Sequence, residues 1–243
     1  MEKQYFNLMS FFNGYVRSYR RMNLSSLHSR SMFTKREIDY FAHVGELLGF
    51  DAFIEDSKFD CLKGRSRPMD LSWWKWDARF DDKYFLYLAL HLERENVWAK
   101  DVDTIQKLFS QTTEEYIPHN VIGIQFVESF ERIKYLNELI LQKNAIQKSN
   151  VLMIYRYYDG EINSERIYAC IFTPKGMSEV RKAICAQDQR GYWFMVFEFK
   201  AKEDTAKVFS FAFLHLSTPP TQQISEYTFF KVFNILGIII KKQ

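Results

Sequence analysis

The chain has 243 residues, of which 47% are hydrophobic, 26% charged and 17% aromatic. This balance belongs to a folded globular protein and excludes a disordered tail, a collagen-like fibre and a low-complexity linker. The formal net charge of +3 does not by itself demand a nucleic acid partner, though it leaves room for a local basic patch.

Residues 1–33 are aromatic and basic, with Arg17, Arg20, Arg21 and Arg30, and predict an N-terminal extension: an extra helix followed by a serine-rich loop. Thr34-Lys35-Arg36-Glu37 reads as a capping box, with Glu37 reaching back to the helix start. Ile38, Phe41, Gly45 and Leu48 follow at helical spacing, and Gly49 is the stop signal. Strands are expected at 51–56, 69–74 and 85–95. In the last of these Leu86, Leu88, Leu90 and Leu92 alternate with Tyr87, Ala89, His91, Glu93 and Glu95. A helix carrying Val102, Ile105 and Leu108 comes next, then a longer helix over 128–147 and a buried-type strand from Val151 to Tyr155. The order up to 157 reads αβββαβ. Beyond it the pattern predicts a C-terminal αβ extension packed on the core: a strand at 166–172, a helix at 178–187, strands at 192–200 and 207–216, and a terminal helix or strand at 227–240.

Cys61, Cys170 and Cys185 have neither disulfide-framework nor zinc spacing, which points to a reducing, cytoplasmic setting. The N-terminus lacks the apolar stretch of a signal peptide. The most apolar run, from Val232 to Ile240, is far short of the roughly 20 residues of a membrane span, so no membrane association is expected.

Glu93 and Glu95 lie two apart on one strand and therefore share a face. Asp70, on the strand before, approaches that face if the two strands pair antiparallel. Three carboxylates in so small a volume resist ionising together unless a cation neutralises them, and hard oxygen ligands suit Mg2+ or Mn2+. Glu46, on the capped helix, is a fourth candidate. Lys63, Arg65 and Arg67 form a basic loop just before Asp70, and with Lys100 and Trp98 they are candidates for nucleic-acid contact. Trp73, Trp74 and Trp76 are expected in packing. His91, on the acidic face, is expected to be a hydrogen-bonded structural residue. Glu198-Phe199-Lys200 forms a rival acid-lysine pair, but its nearest acidic partner, Asp188, lies only a short turn before that strand, so it reads as a surface charge pair. No glycine-rich phosphate loop, nucleophile elbow or dinucleotide fingerprint occurs, which argues against a nucleotide cofactor.

Pro68-Met69-Asp70, Leu88 to Asn96 with Glu93-Arg94-Glu95, and Gly45-Glu46-Leu47-Leu48-Gly49-Phe50 together resemble the PD-(D/E)XK nuclease superfamily over residues 34–157. The resemblance implies a restriction-endonuclease-like αβββαβ core, a central mixed sheet flanked by helices. It also implies a metal-dependent nuclease that hydrolyses DNA with water, using Asp70, Glu93 and Glu95 on Mg2+ or Mn2+, with Glu46 assisting. The second half-motif departs from the usual form, because Glu95 stands where a lysine is usual. Arg94 points to the opposite strand face, so the alternative sources of charge are Lys100 or Lys107, on the next helix, or a second metal ion to which Glu95 adds a ligand. A non-catalytic nucleic-acid- or protein-binding module on the same fold is the second reading. A structural protein that oligomerises through its aromatic-rich ends is the third, and a homodimer is open.

Overall fold

A computed structural model of the chain describes residues 3–55, 69–79, 85–110 and 116–198. Among these residues, four α-helices, α1 (Leu8–Ser18), α2 (Arg30–Leu47), α3 (Asp101–Leu108) and α4 (Phe130–Gln147), accompany eight strands: β1 (Asp51–Ile54), β2 (Leu71–Lys75), β3 (Tyr87–Glu95), β4 (Asn120–Phe126), β5 (Asn150–Asp159), β6 (Ser164–Thr173), β7 (Gly176–Gln187) and β8 (Trp193–Phe197). All eight strands form one mixed sheet in sequence order. β1, β2 and β3 are antiparallel neighbours, β3, β4 and β5 run parallel, and β5 to β8 are antiparallel again. Parallel neighbours need a crossover segment, and α3 and α4 supply the two that this sheet requires.

The sheet separates two apolar layers. Phe12 and Tyr15 of α1 and Phe41 of α2 pack with Trp73, Leu90, Leu92, Ile122 and Ile154 on one face. On the other, Ile105 and Leu108 of α3 and Ile133, Leu136 and Ile140 of α4 pack with Val121, Val151, Met153 and Tyr155. Strands covered on both faces read as near-continuous apolar runs, and Val151-Leu152-Met153-Ile154-Tyr155 is such a run.

Several expectations change. Helix α2 begins one turn before Thr34, because the Ser29 hydroxyl caps it by accepting from the Met32 N–H at 3.4 Å. Thr34 lies inside the helix, its hydroxyl turned to the Arg30 carbonyl at 3.3 Å. Glu37 therefore does not reach back to the cap; it is buried toward the sheet. Strand β4 adds a second crossover unit, so β3 and β5 are not sheet neighbours. The segment expected as a helix over 178–187 belongs to β7, which pairs with both β6 and β8. The tight Thr173-Pro174-Lys175-Gly176 connection, with Gly176 at φ +126°, returns the chain directly as a hairpin. The extension is thus all strand from 164 to 198, apart from its turns. The expected segments at 207–216 and 227–240 lie outside the described residues. The leucine alternation of β3 is also interrupted: Trp73 pairs with Leu90 and Trp74 with Leu88, leaving Ala89 unopposed. Leu88 accordingly packs with Trp74 and Phe85 rather than with Leu90 and Leu92.

Gly45 sets the closeness of α2 to the sheet. A Cβ there would stand 2.6 Å from the Trp73 indole, so only glycine lets the helix lie so near.

Candidate functional site

Strand alternation sorts the acidic residues by face. Leu90, Leu92 and Arg94 of β3 turn toward α1 and α2, and Glu93 turns toward α3. The antiparallel register pairs Leu71 with Leu92, which brings Asp70 up to Glu93. The Asp70 N–H donates to Glu93 Oε2 at 3.3 Å, and the Arg94 N–H donates to Asp70 Oδ2 at 2.7 Å. Lys107, on α3, donates its ammonium to Glu93 Oε1 at 2.5 Å. The residue that leads into β2 and a lysine from the crossover helix therefore both reach the Glu93 carboxylate of β3, with the Asp70 carboxylate held beside it on the Arg94 N–H.

The electrostatics of the cluster are strained. Burial and the neighbouring Asp70 carboxylate push Glu93 up to about 7, outweighing the pull of Lys107. Burial likewise raises Asp70, against the hydrogen bond from the Arg94 N–H and the charge of Lys107, and Glu95 adds to the rise. Glu95 is close enough to repel Asp70, yet its Oε1 turns back to accept from the N–H groups of Asn96 and Val97, both at 2.8 Å. Among the described residues no three histidine, cysteine, aspartate or glutamate side chains are already gathered to hold a metal. Asp70 and Glu93 nevertheless fit a hard divalent cation: both are oxygen donors whose joint ionisation costs energy that a cation removes.

The other expected site residues fall elsewhere. Glu46 is exposed on α2, with His43 Nδ1 at 3.8 Å, and α2 packs on the face away from Glu93. It is not brought to the cluster. Trp98 and Lys100 lie on an exposed single turn, Trp98–Lys100, directly after the β3 end. Lys63, Arg65 and Arg67 lie outside the described residues. Trp73 and Trp74 are buried in packing as expected, whereas Trp76 is exposed. Glu198 pairs with Arg166 at 2.6 Å and Asp188 with Arg20 at 2.7 Å, while Lys200 lies outside the described residues. His91 departs from expectation: it is fully buried, and neither ring nitrogen has a partner among the described residues. Burial lowers it to about 3, so the ring stays neutral.

Two features escape the sequence. Arg94, as expected, leaves the acidic face, and it enters a buried network behind the sheet. Its Nε donates to Glu37 Oε2 at 2.5 Å, and Arg156, Tyr15 and Tyr19 converge on Glu37 Oε1. Arg156 continues to Glu165. The second feature is Gln125 on β4. It is the register partner of Glu95, hence on the same face, and fully buried. Neither atom of its amide has a partner among the described residues. The Val121-Ile122-Gly123-Ile124-Gln125-Phe126 run, flanked by Pro118 and Ser129, is the signal that announces this strand.

No protein-family profile and no curated protein matches the chain. Among solved structures it is similar to the central domain of yeast acetyl-CoA carboxylase, at 7% identity and a TM-score of 0.38, over 69% of this chain and 27% of that one. The chain thus spans about a quarter of that protein's length. No helix among the described residues is long and apolar enough to cross a membrane.

Proposed function

We propose that the chain is a metal-dependent nuclease of PD-(D/E)XK type that hydrolyses phosphodiester bonds of DNA. The observation that carries this reading is that the Asp70 backbone N–H and the Lys107 ammonium both reach the Glu93 carboxylate, where the Asp70 carboxylate is near enough to raise Glu93. The order α2-β1-β2-β3-α3-β4, with β1 to β3 antiparallel and β4 parallel to β3, supports this reading, although β4 rather than the expected Val151–Tyr155 strand then closes the αβββαβ series.

Asp70 and Glu93 would hold Mg2+ or Mn2+, with Glu95 as the further acid at the end of β3. When bound, the cation supplies Lewis acidity to the phosphoryl oxygen and lowers the pKa of water. Lys107 compensates for Glu95 at the usual lysine position, because it brings a positive charge to Glu93 from a different element. Its side chain is 36% exposed, so it is accessible to an approaching phosphate. Trp98 and Lys100 flank the β3 end and provide a stacking surface and a charge for the nucleic acid.

The test is incubation of the purified full chain with plasmid DNA and Mg2+, with and without a chelator. Chelator-sensitive nicking is the expected result, and no cleavage with Mg2+ or Mn2+ overturns the assignment. Lys107→Met is expected to lower the rate by roughly a hundredfold or more, the scale of one electrostatic catalytic group, while leaving cation binding measurable. Undiminished cleavage by that variant would remove Lys107 from the reaction. One observation favours a second reading, a non-catalytic binding module: the residue at the usual lysine position is an acid folded back on its own backbone. That reading predicts DNA binding without Mg2+ that survives loss of Asp70.

A further inference from the structure

A buried amide with no partner is costly, since both its donor and its acceptor lose water without replacement. Gln125 is in that state, and it is not isolated from function: the parallel register sets it beside Glu95, on the face that carries Glu93. Glu95, for its part, holds its Oε1 on the N–H groups of Asn96 and Val97, at the end of its own strand. An acceptor and a donor on adjacent strand positions therefore ignore each other. Repulsion between the Asp70 and Glu95 carboxylates gives a reason, because it favours Glu95 turned outward as long as nothing neutralises the pair.

We infer that Gln125 is a positioning residue for Glu95, and that Glu95 has two settings. On uptake of a divalent cation beside Asp70 and Glu93, repulsion no longer holds Glu95 outward; it leaves the Asn96 and Val97 N–H groups and accepts a hydrogen bond from Nε2 of Gln125. The bond is charge-assisted, which is the strong kind, and it ends the isolation of the amide donor. This inference rests on the proposed cation site and adds to it a residue outside the acid-lysine set. It also accounts for the retention of a polar side chain where methionine would pack more cheaply, since function is the usual reason for a group that costs stability.

The experiment measures Mn2+ affinity by calorimetry and metal-free melting temperature in chelator, on the full chain. The wild type is compared with Gln125→Met, Glu95→Gln, their double variant and Glu93→Gln. Without metal, Gln125→Met is expected to melt about 2–6 °C higher, because it removes an unsatisfied amide. Its Mn2+ affinity is expected to fall about tenfold, the worth of one charge-assisted hydrogen bond. In the Glu95→Gln background the same substitution is expected to change the affinity less than twofold, because the amide acts through that carboxylate. Unchanged affinity in Gln125→Met, or an equal loss in both backgrounds, overturns the inference. So does a lower melting temperature, which assigns the amide to the fold. A chain in which Glu93→Gln loses Mn2+ while Gln125→Met binds like wild type keeps the cation site and loses only this inference. A wild type that takes up no Mn2+ removes both.

Discussion

Asp70→Asn and Glu93→Gln are each expected to abolish Mg2+-dependent DNA cleavage, by a factor of about a thousand or more, while the metal-free protein becomes more stable. The loss follows from removing a cation ligand whose role is worth several kcal/mol at the transition state. The stabilisation follows from the geometry. The Glu93 carboxylate is close enough to Asp70 to accept from its backbone N–H at 3.3 Å, and only 10% of the Glu93 side chain is exposed. Burial and Asp70 push Glu93 up to about 7, so the folded chain holds a proton there that the unfolded chain has released. Stability from this group is complete below about pH 4.5 and is lost as the pH rises through 7, an effect of up to ~3 kcal/mol. Glu93→Gln is expected to flatten that part of the stability-pH curve, as seen by chemical denaturation from pH 4 to 8. Undiminished cleavage by either variant, or a wild-type curve that does not fall across this window, contradicts the account.

The opposite sign is expected behind the sheet. Burial raises the Glu37 carboxyl, but the Arg94 and Arg156 guanidiniums and their hydrogen bonds outweigh it and hold the group at about 2. Its stabilisation is present above about pH 4.5 and is lost as the pH falls through 2. Glu37→Gln keeps the shape and removes the charge, leaving Arg94 and Arg156 in a fully buried position with Glu165 as the remaining acid of the network. Breaking a buried ion pair on one side costs about 3–5 kcal/mol, so a fall in melting temperature of roughly 10 °C is expected at pH 7. This network joins α1 through Tyr15, the turn after it through Tyr19, α2 through Glu37, β3 through Arg94 and β5 through Arg156. It therefore also fixes the β3 strand whose other face carries Glu93. A melting temperature within 2 °C of wild type would show the network to be dispensable.

Much of this architecture is legible in the residues. The alternation over 85–95 locates β3, and the i, i+2 spacing puts Glu93 on the face away from Arg94. The helical spacing of Ile133, Leu136 and Ile140 locates α4. What misleads is local signal without its tertiary context. Thr34-Lys35-Arg36-Glu37 has the pattern of a capping box, but Ser29 is free to cap one turn earlier, and Glu37 finds two buried guanidiniums to pair with. Val180, Ala183 and Ile184 satisfy a helical period, yet the turn at Gly176 and pairing on both sides make the segment a strand. β4 is a parallel strand buried on both faces, so it shows neither period, and Gln125 goes unnoticed with it. The Lys107 contact depends on the placement of α3 over β3, which sequence spacing does not specify.

The central claim is that Asp70 and Glu93 together bind a divalent cation. Thermal unfolding of the wild type and of Asp70→Asn, with increasing Mn2+, tests it most directly, because selective binding to the folded chain must raise its melting temperature. The wild type is predicted to gain about 5–10 °C once the free cation reaches a hundredfold excess over its dissociation constant, and Asp70→Asn to gain none. A wild-type melting temperature indifferent to Mn2+ and Mg2+, or an equal gain in the variant, contradicts it.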